Sequence, residues 1–346
     1  MPSRRSPLCC LFPHLLPTLG CLLSLTPLTA ASETALPSPY PNGPGFAAYV
    51  EQLQEEHGFS SEQLSGWFSG VARQDRVLEL IARPAEKTLE WHQYKRIFLS
   101  AERAAQGAEF WRTQADVLER MERAYGVDPA MVVAILGVET RYGKHTGIFP
   151  VLDSLATLAF DYPPRSKFFR NELTEFLLLA REEGVDPTGI KGSYAGAMGY
   201  GQFIPSSYRA YAVDFDGDQV RDIWNNAEDA IGSVANYFAR HGWEPDGPVV
   251  ASAVVEGGAF KAWVNEPGPP KRTVGELEAK GFVPVTQVDG GRKAKALELM
   301  GEDGPLYWTA FQNFYVITRY NRSALYAMAV HDLSEAVRAA YSNQGT

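Results

Sequence analysis

Cysteine is nearly absent from this chain of 346 residues. It contains 3 cysteines, and all of them lie close to the start, at Cys9, Cys10 and Cys21. The rest of the chain has no thiol that could form a disulfide, act as a nucleophile or bind a metal. Disulfide-stabilised folds, cysteine catalysis and cysteine metal sites are therefore excluded for the body of the protein.

An excess of positive charge is also missing. The chain has 41 acidic residues against 32 lysines and arginines, and its formal net charge is −9 at pH 7. This balance argues against binding to nucleic acid or general attraction to anionic polymers. We expect no nucleic-acid partner, and an anionic substrate would have to be held by local arginines and lysines.

The apolar stretch near the start of the chain is too broken to predict a transmembrane helix. Arg4 and Arg5 precede it, Pro13 and Pro17 interrupt it, and small residues end it at 29–31. A basic start, an apolar centre and a small-residue end are typical of a cleaved signal peptide. We therefore interpret residues 1–31 as an export leader.

Cys21 offers an alternative, in which the chain is lipidated and anchored to the outer membrane. Thr18 stands where a lipid-attachment motif usually has leucine, so the anchor is the less favoured interpretation. The next segment, residues 32–45, is rich in proline and glycine and predicts a linker.

The pattern after the linker is mainly helical. We expect a helical lobe over about 46–125, and Ser60 followed by Gln63 predicts a capped helix start within it. A core is predicted over about 126–247 together with 309–341. A small mixed insertion, about 248–308, separates these parts, with strand-like runs at 249–255 and 282–285. The expected fold class is mainly α, with a small β-containing part.

Glu139 is the most informative single residue. It follows the run 131–138, which is apolar on every face and is therefore expected to be a buried helix. Asp128 and Pro129 predict the start of this helix, and Gly143 predicts its end. Burial and the negative helix end should both raise the pKa of Glu139, as a general acid requires. The alternative is a structural glutamate that caps the helix or pairs with Arg141.

A second motif, the acidic loop 214–222, places aspartates at alternate positions. It resembles the first half of an EF-hand calcium loop, with Asp214, Asp216 and Asp218 as ligands and Val220 able to supply its backbone carbonyl. Clustered carboxylates would repel one another without a cation. The loop departs from the usual pattern at Gln219, which replaces glycine.

The acidic loop also lacks the usual final ligand, because Asn225 replaces glutamate at that position. Asp229 or Glu228 would have to complete the site. All-oxygen ligands suit calcium, and a structural role is expected. The alternative is a solvated acidic turn that binds no metal.

Two further segments carry groups suited to ligands, and each is weak evidence alone. The glycine-rich segment 193–205 contains Ser193 and Gln202, and its glycines allow close approach of the backbone to a ligand. The segment 313–322 combines aromatic and amide side chains, which suit the apolar faces and hydroxyl edges of sugars. A packing loop and core aromatics are the alternatives.

Taken together and in order, these motifs resemble the B-type lytic murein transglycosylases. The resemblance covers roughly 46–337 and rests on 137–143, 193–205, 214–224, 230–238 and 313–321. It implies a lysozyme-like fold with a helical lobe and a small β-containing lobe. It also implies a periplasmic enzyme that cleaves the MurNAc–GlcNAc β-1,4 bond of peptidoglycan and leaves 1,6-anhydro-MurNAc ends.

The resemblance implies a role for each matching residue. Glu139 is the acid and base, and calcium is held by Asp214, Asp216, Asp218, Asp229 and the backbone of Val220. Residues expected to bind the saccharide are Tyr94, Ser193, Gln202, Tyr237, Tyr320 and Asn321. Arg165 would reach a peptide or lactyl carboxylate, although Pro164 stands where the family often has a second basic residue. The expected partners are glycan strands and cell-wall synthases, and a monomer is expected.

A second catalytic carboxylate is not placed by any motif. Ordinary glycosidases use two, and the distance between them sets the stereochemical outcome. Asp153 and Asp161 are the open candidates for such a role. Two other functions also stay open: a muramidase that admits water, and a non-catalytic scaffold that binds peptidoglycan.

Overall fold

The structure, a computed structural model, describes residues 44–82 and 89–343. The predicted leader 1–31 with Cys21 and the linker up to residue 43 lie outside these residues. Pro44 and Gly45, assigned to the linker, already belong to the first helix. Among the described helices, none combines the length and the apolar character needed to cross a membrane.

The first part of the described chain is helical up to residue 125. Its helices are α1 (Pro44–His57), α2 (Ser61–Phe68), α3 (Asp75–Ala82), α4 (Trp91–Phe98), α5 (Ala101–Thr113) and α6 (Ala115–Tyr125). The predicted cap at Ser60 is present, since its side chain accepts the Gln63 N–H at 3.1 Å. This hydrogen bond satisfies one of the free donors at the start of α2.

Helix α7 (Pro129–Thr140) forms the centre of the protein. Asp128 caps its start by accepting the Ala130 N–H at 2.9 Å, and every residue of the helix except Glu139 is buried. It packs against α5, α6, α11 and α14. Such enclosure is what an apolar surface on every side requires. The helix ends earlier than predicted, because Arg141 is its left-handed C-cap and Gly143 lies beyond it.

The chain then forms the remainder of the helical core around α7. It consists of β1 (Phe149–Pro150), α8 (Val151–Asp161), a 3-10 turn (Pro163–Arg165), α9 (Ser166–Glu183), β2 (Lys191–Gly192), α10 (Pro205–Tyr211) and α11 (Ala227–Arg240). The short strands β1 and β2 pair antiparallel, with Phe149 opposite Gly192. The segment 193–205 therefore leaves β2 next to the chain that follows α7.

A small antiparallel sheet occupies the predicted insertion. Its elements are β3 (Val250–Val255), β4 (Arg272–Thr273), α12 (Val274–Glu278), β5 (Phe282–Pro284), β6 (Lys293–Met300) and β7 (Pro305–Ala310). The strand order is β4-β6-β7-β3-β5. The sheet has a separate hydrophobic core that includes Phe260, Leu277, Phe282 and Phe311.

Two helices after the sheet return the chain to the core. They are α13 (Gln312–Tyr320) and α14 (Ala324–Asn343), and α14 packs along both α5 and α7. Asn313 anchors this return, because its buried side chain accepts the Glu244 N–H and donates to Glu244 O and Gly247 O. The mainly α architecture with a small separate sheet is as predicted.

Candidate active site

Glu139 meets Tyr326 at the C-terminal end of α7. The Tyr326 hydroxyl, on α14, donates a hydrogen bond of 2.5 Å to Glu139 Oε1. Tyr326 is buried, and this burial, followed by the charge of Glu139, raises its pKa well above 10. The phenol is therefore a permanent donor at physiological pH, and it fixes one oxygen of a half-buried carboxylate.

Tyr326 is held in place by the start of α14. Asn321 Oδ1 accepts the Ser323 N–H, and Ser323 Oγ accepts the Tyr326 N–H, both at 3.2 Å. These are capping interactions that satisfy free donors at a helix start. Asn321, predicted from the sequence to bind saccharide, thus also orients the partner of Glu139.

The contact of Tyr326 with Glu139 is a feature of the candidate site that the sequence does not reveal. Tyr326 lies in an ordinary apolar helical pattern of alanines with one methionine, Met328, where a tyrosine is expected to be a core residue. The only local signal is its position three residues after the Ser323 cap. The contact that gives it a role connects residues far apart in the chain.

The glycine-rich loop 193–205 contacts the end of α7 directly beside Glu139. The Thr140 hydroxyl donates to the Tyr200 carbonyl at 2.9 Å. Gly143 has φ 83°, and a Cβ there would lie 2.1 Å from the Tyr200 ring. The hydrogen bond shows that the backbone of the loop packs closely against the helix end, and the short distance to Tyr200 requires glycine at position 143. The loop is therefore held against the helix that carries Glu139.

Ser193 and Gln202 are half-buried and hold the loop in shape. Ser193 Oγ accepts the N–H groups of Ala195 and Ala197, at 3.3 and 3.0 Å. Gln202 adopts a left-handed φ of 51° and donates to the carbonyls of Thr146 and Gly199, both at 3.0 Å. Left-handed backbone at a residue other than glycine is a strained feature that often marks a functional site.

The predicted saccharide-binding tyrosines are largely buried. Tyr94, Tyr237 and Tyr320 expose 2%, 1% and 8% of their surface. The Tyr237 hydroxyl donates to Arg319 O at 2.6 Å, and its ring centroid lies 4.9 Å from that of Tyr320. The Tyr320 hydroxyl in turn donates to Gly201 O in the loop. Tyr237 and Tyr320 thus pack together, and Tyr320 contacts the loop directly. Direct saccharide contact by the three tyrosines stays a prediction.

Arg165 lies in the 3-10 turn between α8 and α9. Its guanidinium is 4.2 Å from the centre of the Phe168 ring and 5.1 Å from that of Phe169. These distances are those of cation–π contacts, which hold the side chain while leaving its charge available. Its predicted role toward a substrate carboxylate stays a prediction.

Asp153 and Asp161 face another part of the molecule. Asp153 Oδ1 accepts the Ala72 N–H and the Gln74 side-chain amide, both at 3.1 Å. Asp161 Oδ2 lies 3.7 Å from Arg73 Nε. Both carboxylates on α8 thus interact with the connection between α2 and α3, which is the role of a structural tie.

The acidic loop brings together three of its predicted ligands. Carboxylate oxygens of Asp214, Asp216 and Asp229 lie within 4.8 Å of one another. Asp229 is fully buried and accepts the N–H groups of Phe215 and Asp222, at 2.7 and 2.8 Å. Burial, followed by the nearby carboxylates, raises the pKa of Asp229. A hard divalent cation fits this set of oxygens and would offset their mutual repulsion.

The other predicted ligands are placed less directly. The Asp218 carboxylate accepts the Val220 N–H at 2.8 Å and is not one of the three clustered groups. Gln219, at the position of the usual glycine, takes φ 75°. Glu228 binds Arg120 at 2.5 Å, so Asp229 is the acid from the following helix that faces the cluster.

Comparison with known proteins places these features in a family. The chain matches the family described as Transglycosylase SLT domain over residues 44–335. Membrane-bound lytic murein transglycosylase B of Escherichia coli strain K12 is 42% identical over 312 residues, which cover 86% of this chain and 84% of that protein.

Solved structures show the same similarity. Soluble lytic transglycosylase SltB1 from Pseudomonas aeruginosa has a TM-score of 0.82 and 47% identity, covering 88% of this chain and 100% of its own. Escherichia coli Slt35 in complex with calcium has a TM-score of 0.79 and 41% identity, with coverage of 88% and 95%. SltB3 from Pseudomonas aeruginosa in complex with NAG-anhNAM-pentapeptide has a TM-score of 0.75 and 33% identity, with coverage of 84% and 78%.

These similarities confirm the lysozyme-like lytic transglycosylase fold that the motifs predict. The family match over residues 44–335 includes the sheet, both loops and the described helices up to the first part of α14. The chain belongs to the transglycosylase SLT domain family.

Proposed function

We propose that this protein is a lytic murein transglycosylase whose only catalytic carboxyl is Glu139. It cleaves the β-1,4 bond between MurNAc and GlcNAc of peptidoglycan and forms 1,6-anhydro-MurNAc ends. The observation that carries the proposal is the hydrogen bond between Tyr326 and Glu139, beside a loop held against the same helix. Membership of the family supplies the substrate class.

The reaction needs two proton transfers at one residue. Protonated Glu139 donates its proton to the glycosidic oxygen as the bond from the MurNAc anomeric carbon breaks. The positive charge that develops on that carbon is met by the N-acetyl oxygen of the same sugar. The ionised Glu139 then removes the proton of the MurNAc 6-hydroxyl, whose oxygen attacks the anomeric carbon. No water is consumed, and Glu139 ends protonated as it began.

The geometry around Glu139 suits this double role. Tyr326 donates to one carboxylate oxygen throughout, because its own pKa lies far above neutral pH. The fixed donor stabilises the ionised carboxylate and keeps its orientation between the two transfers. Asp153 and Asp161, the open candidates for a second carboxylate, interact with residues 72–74 instead.

The saccharide-binding roles inferred from the family remain part of the proposal. Ser193, Gln202 and Asn321 are half-buried polar residues near the Glu139 end of α7. Tyr94, Tyr237 and Tyr320 are buried and would shape the saccharide subsites. Arg165 would bind a lactyl or peptide carboxylate of the substrate, since its cation–π contacts with Phe168 and Phe169 leave the positive guanidinium available for an anion.

Calcium is the proposed structural metal. Asp214, Asp216 and Asp229 would hold it, with Asp218 and the Val220 carbonyl completing the coordination after adjustment of the loop. Bound calcium would supply charge compensation and rigidity, and the reaction does not use it. The similar Escherichia coli Slt35 structure contains calcium, which supports this choice of ion.

The proposed location is the periplasm, reached through the leader 1–31, with an outer-membrane anchor at Cys21 as the alternative. The proposed partners are glycan strands and cell-wall synthases, and no surface is assigned to the synthases. The protein is proposed to act as a monomer. Three measurements separate signal cleavage from lipidation: the mass of the exported protein, its release by salt and its release by detergent. A lipid anchor would add mass and make release depend on detergent.

Product analysis tests the function against its alternative, the muramidase. Purified sacculi are digested, and the soluble fragments are examined by mass spectrometry. Anhydro ends are lighter by one water than hydrolysed ends, so we expect anhydro-muropeptides as the main product. Reducing muramyl ends as the sole product would support a muramidase, and no release of fragments would support a non-catalytic scaffold.

A further inference from the structure

Glu172 is a buried carboxylate that the proposed reaction does not use. It lies on α9, exposes 4% of its surface, and both of its oxygens accept hydrogen bonds from one residue. Ser206 N–H donates to Oε2 at 3.0 Å, and Ser206 Oγ donates to Oε1 at 2.8 Å. A charge in the interior is costly unless it is matched by such donors, so the position needs an explanation.

Ser206 links Glu172 to the active-site loop. It is the second residue of α10, which begins where the loop 193–205 ends. Within the loop, Met198 and Phe203 exchange both backbone hydrogen bonds, at 2.9 and 3.0 Å. The segment from Met198 to Ser206 is therefore a stiff unit, and a shift of Ser206 would be transmitted to Gln202.

Several other hydrogen bonds hold the middle of the loop, among them those from the Gln202 amide to Thr146 O and from the Tyr200 N–H to Ile223 O. Thr140 on α7 binds the Tyr200 carbonyl, and Tyr320 on α13 binds the Gly201 carbonyl. Glu172 holds the end of the loop from a third element, α9. Three separate helices thus fix the loop relative to Glu139, which immediately precedes Thr140.

The charges around Glu172 allow it to change state near neutral pH. Burial raises its pKa to about 7, against the lowering effect of the Ser206 donors. The charge of Glu175 on α9 contributes to this increase of the pKa, and the charge of Arg165 in the 3-10 turn opposes it. Helices α8 and α10 pack against α9, and their charged groups have other partners. Arg209 of α10 binds Glu175 and Glu182. Asp153 and Asp161 of α8 interact with residues 72–74.

We propose that Glu172 is a positioning residue for the cleavage reaction, which holds Ser206 and thereby keeps the 193–205 loop in register with Glu139. The inference rests on the proposed function, because the loop matters only if Glu139 is catalytic. The ionised carboxylate accepts both Ser206 bonds as charge-assisted ones, which are roughly twice as strong as neutral ones. The loop is therefore held more firmly when Glu172 is ionised.

The test compares four variants of the full chain: E172A, E172Q, S206A and, as the matched control, E175Q. Glu175 lies on the same helix, is partly exposed and binds Arg209 without contacting the loop residues. For each protein, kcat and KM on purified peptidoglycan are measured between pH 5 and pH 9. Thermal melting of the same samples reports the folded fraction.

We expect E172A to lower kcat per folded molecule by about tenfold or more with a smaller change in KM, since small misplacements of catalytic groups are costly. E172Q and S206A should fall between E172A and wild type. E172Q should also lose the change in kcat that wild type shows around pH 7. E175Q should keep the maximal kcat of wild type, with its change near neutral pH displaced to lower pH, because the charge of Glu175 raises the pKa of Glu172.

The proposal is overturned if E172Q and S206A keep the kcat and the pH profile of wild type, or if melting temperature alone changes. These two variants decide the matter even if E172A does not fold. A wild-type protein that releases no anhydro-muropeptides would overturn the proposed function together with this inference. An active wild type with unaffected Glu172 variants would overturn only the inference.

Discussion

Glu139 and Tyr326 are separated by 187 positions in the sequence, yet their side chains share one hydrogen bond of 2.5 Å. The bond joins the C-terminal end of α7 to the first turns of α14, and Asn321 and Ser323 fix the start of that second helix. The carboxyl proposed to be catalytic is thus oriented by a residue of α14. If Glu139 is catalytic as proposed, activity as well as stability depends on the packing of α14 along α7.

The first prediction concerns Tyr326→Phe. This change removes the hydroxyl and leaves the buried ring in place. Hydrogen bonds to charged groups contribute about 1.5–3 kcal/mol, so we expect kcat to fall by roughly 10- to 100-fold. Steady-state turnover of peptidoglycan at pH 7 measures this loss. Unchanged turnover would show that Tyr326 packs beside Glu139 without orienting it.

The second prediction separates Asp153 from catalysis. Asp153→Ala should lower the free energy of unfolding by about 1–3 kcal/mol, because two donors at Ala72 and Gln74 lose their acceptor. The kcat per folded molecule should stay within a factor of about two or three, which is under 1 kcal/mol. Urea denaturation and turnover assays give the two quantities.

Asp161→Asn serves as the companion variant on the same helix. Its partner Arg73 is half exposed, so little change is expected in either stability or turnover. A drop in kcat by several orders of magnitude in either variant would identify a second catalytic carboxyl.

The third prediction concerns the acidic loop. Calcium at a hundred times its Kd should stabilise the protein by about 2.7 kcal/mol, and a chelator should remove this gain. Asp216→Asn removes an exposed carboxylate of the cluster and should weaken the response. Asp186→Asn is the control, because it changes an exposed aspartate that binds Thr188 and does not belong to the cluster. Melting curves with calcium and with chelator that coincide for wild type would indicate an empty loop.

The fourth prediction follows from the pKa of Glu172, which burial raises from 4.5 to about 7. A carboxyl with a raised pKa binds its proton more tightly in the folded state. Its stabilising contribution is therefore complete below pH 4.5 and is lost as the pH rises through 7. The loss amounts to roughly 3 kcal/mol.

Glu172→Gln keeps a neutral side chain at every pH, so this variant should lack that loss. Between pH 4.5 and pH 8, the free energy of unfolding of wild type should therefore fall relative to that of the variant. Denaturant titrations at both pH values measure it. Parallel pH dependence of the two proteins would contradict the assignment of a raised pKa.

Local signals in the sequence predict where several helices begin. Ser60 and Asp128 both accept backbone N–H groups at the positions expected from their spacing. The prediction that Gly143 ends α7 is wrong. The helix ends at Thr140, because Arg141 and Tyr142 already adopt left-handed backbone. Their side chains bind Gln106 and the Arg103 carbonyl of α5, so tertiary contacts override the local preference for glycine.

The sheet and the site are predictable only in part. Strand β6 is rich in alanine, leucine, lysine and glutamate, which favour helices, and its pairing with β7 decides its structure. Asp214 and Asp216 could be found because they follow the spacing of a calcium loop, whereas that spacing left Asp229 and Glu228 as alternatives and the family resemblance pointed to Asp229. Tyr326 could not be found in this way, since its role depends on the way α14 packs against α7.

Glu139→Gln on intact sacculi is the most direct test of the central claim. The amide keeps the size of the side chain and its contact with Tyr326 but cannot donate and then accept the reacting proton. With circular dichroism and melting temperature close to wild type, mass spectrometry should detect no anhydro-muropeptides above background. Anhydro-muropeptides released by the folded variant at a rate near wild type would show that Glu139 is not the catalytic acid and base.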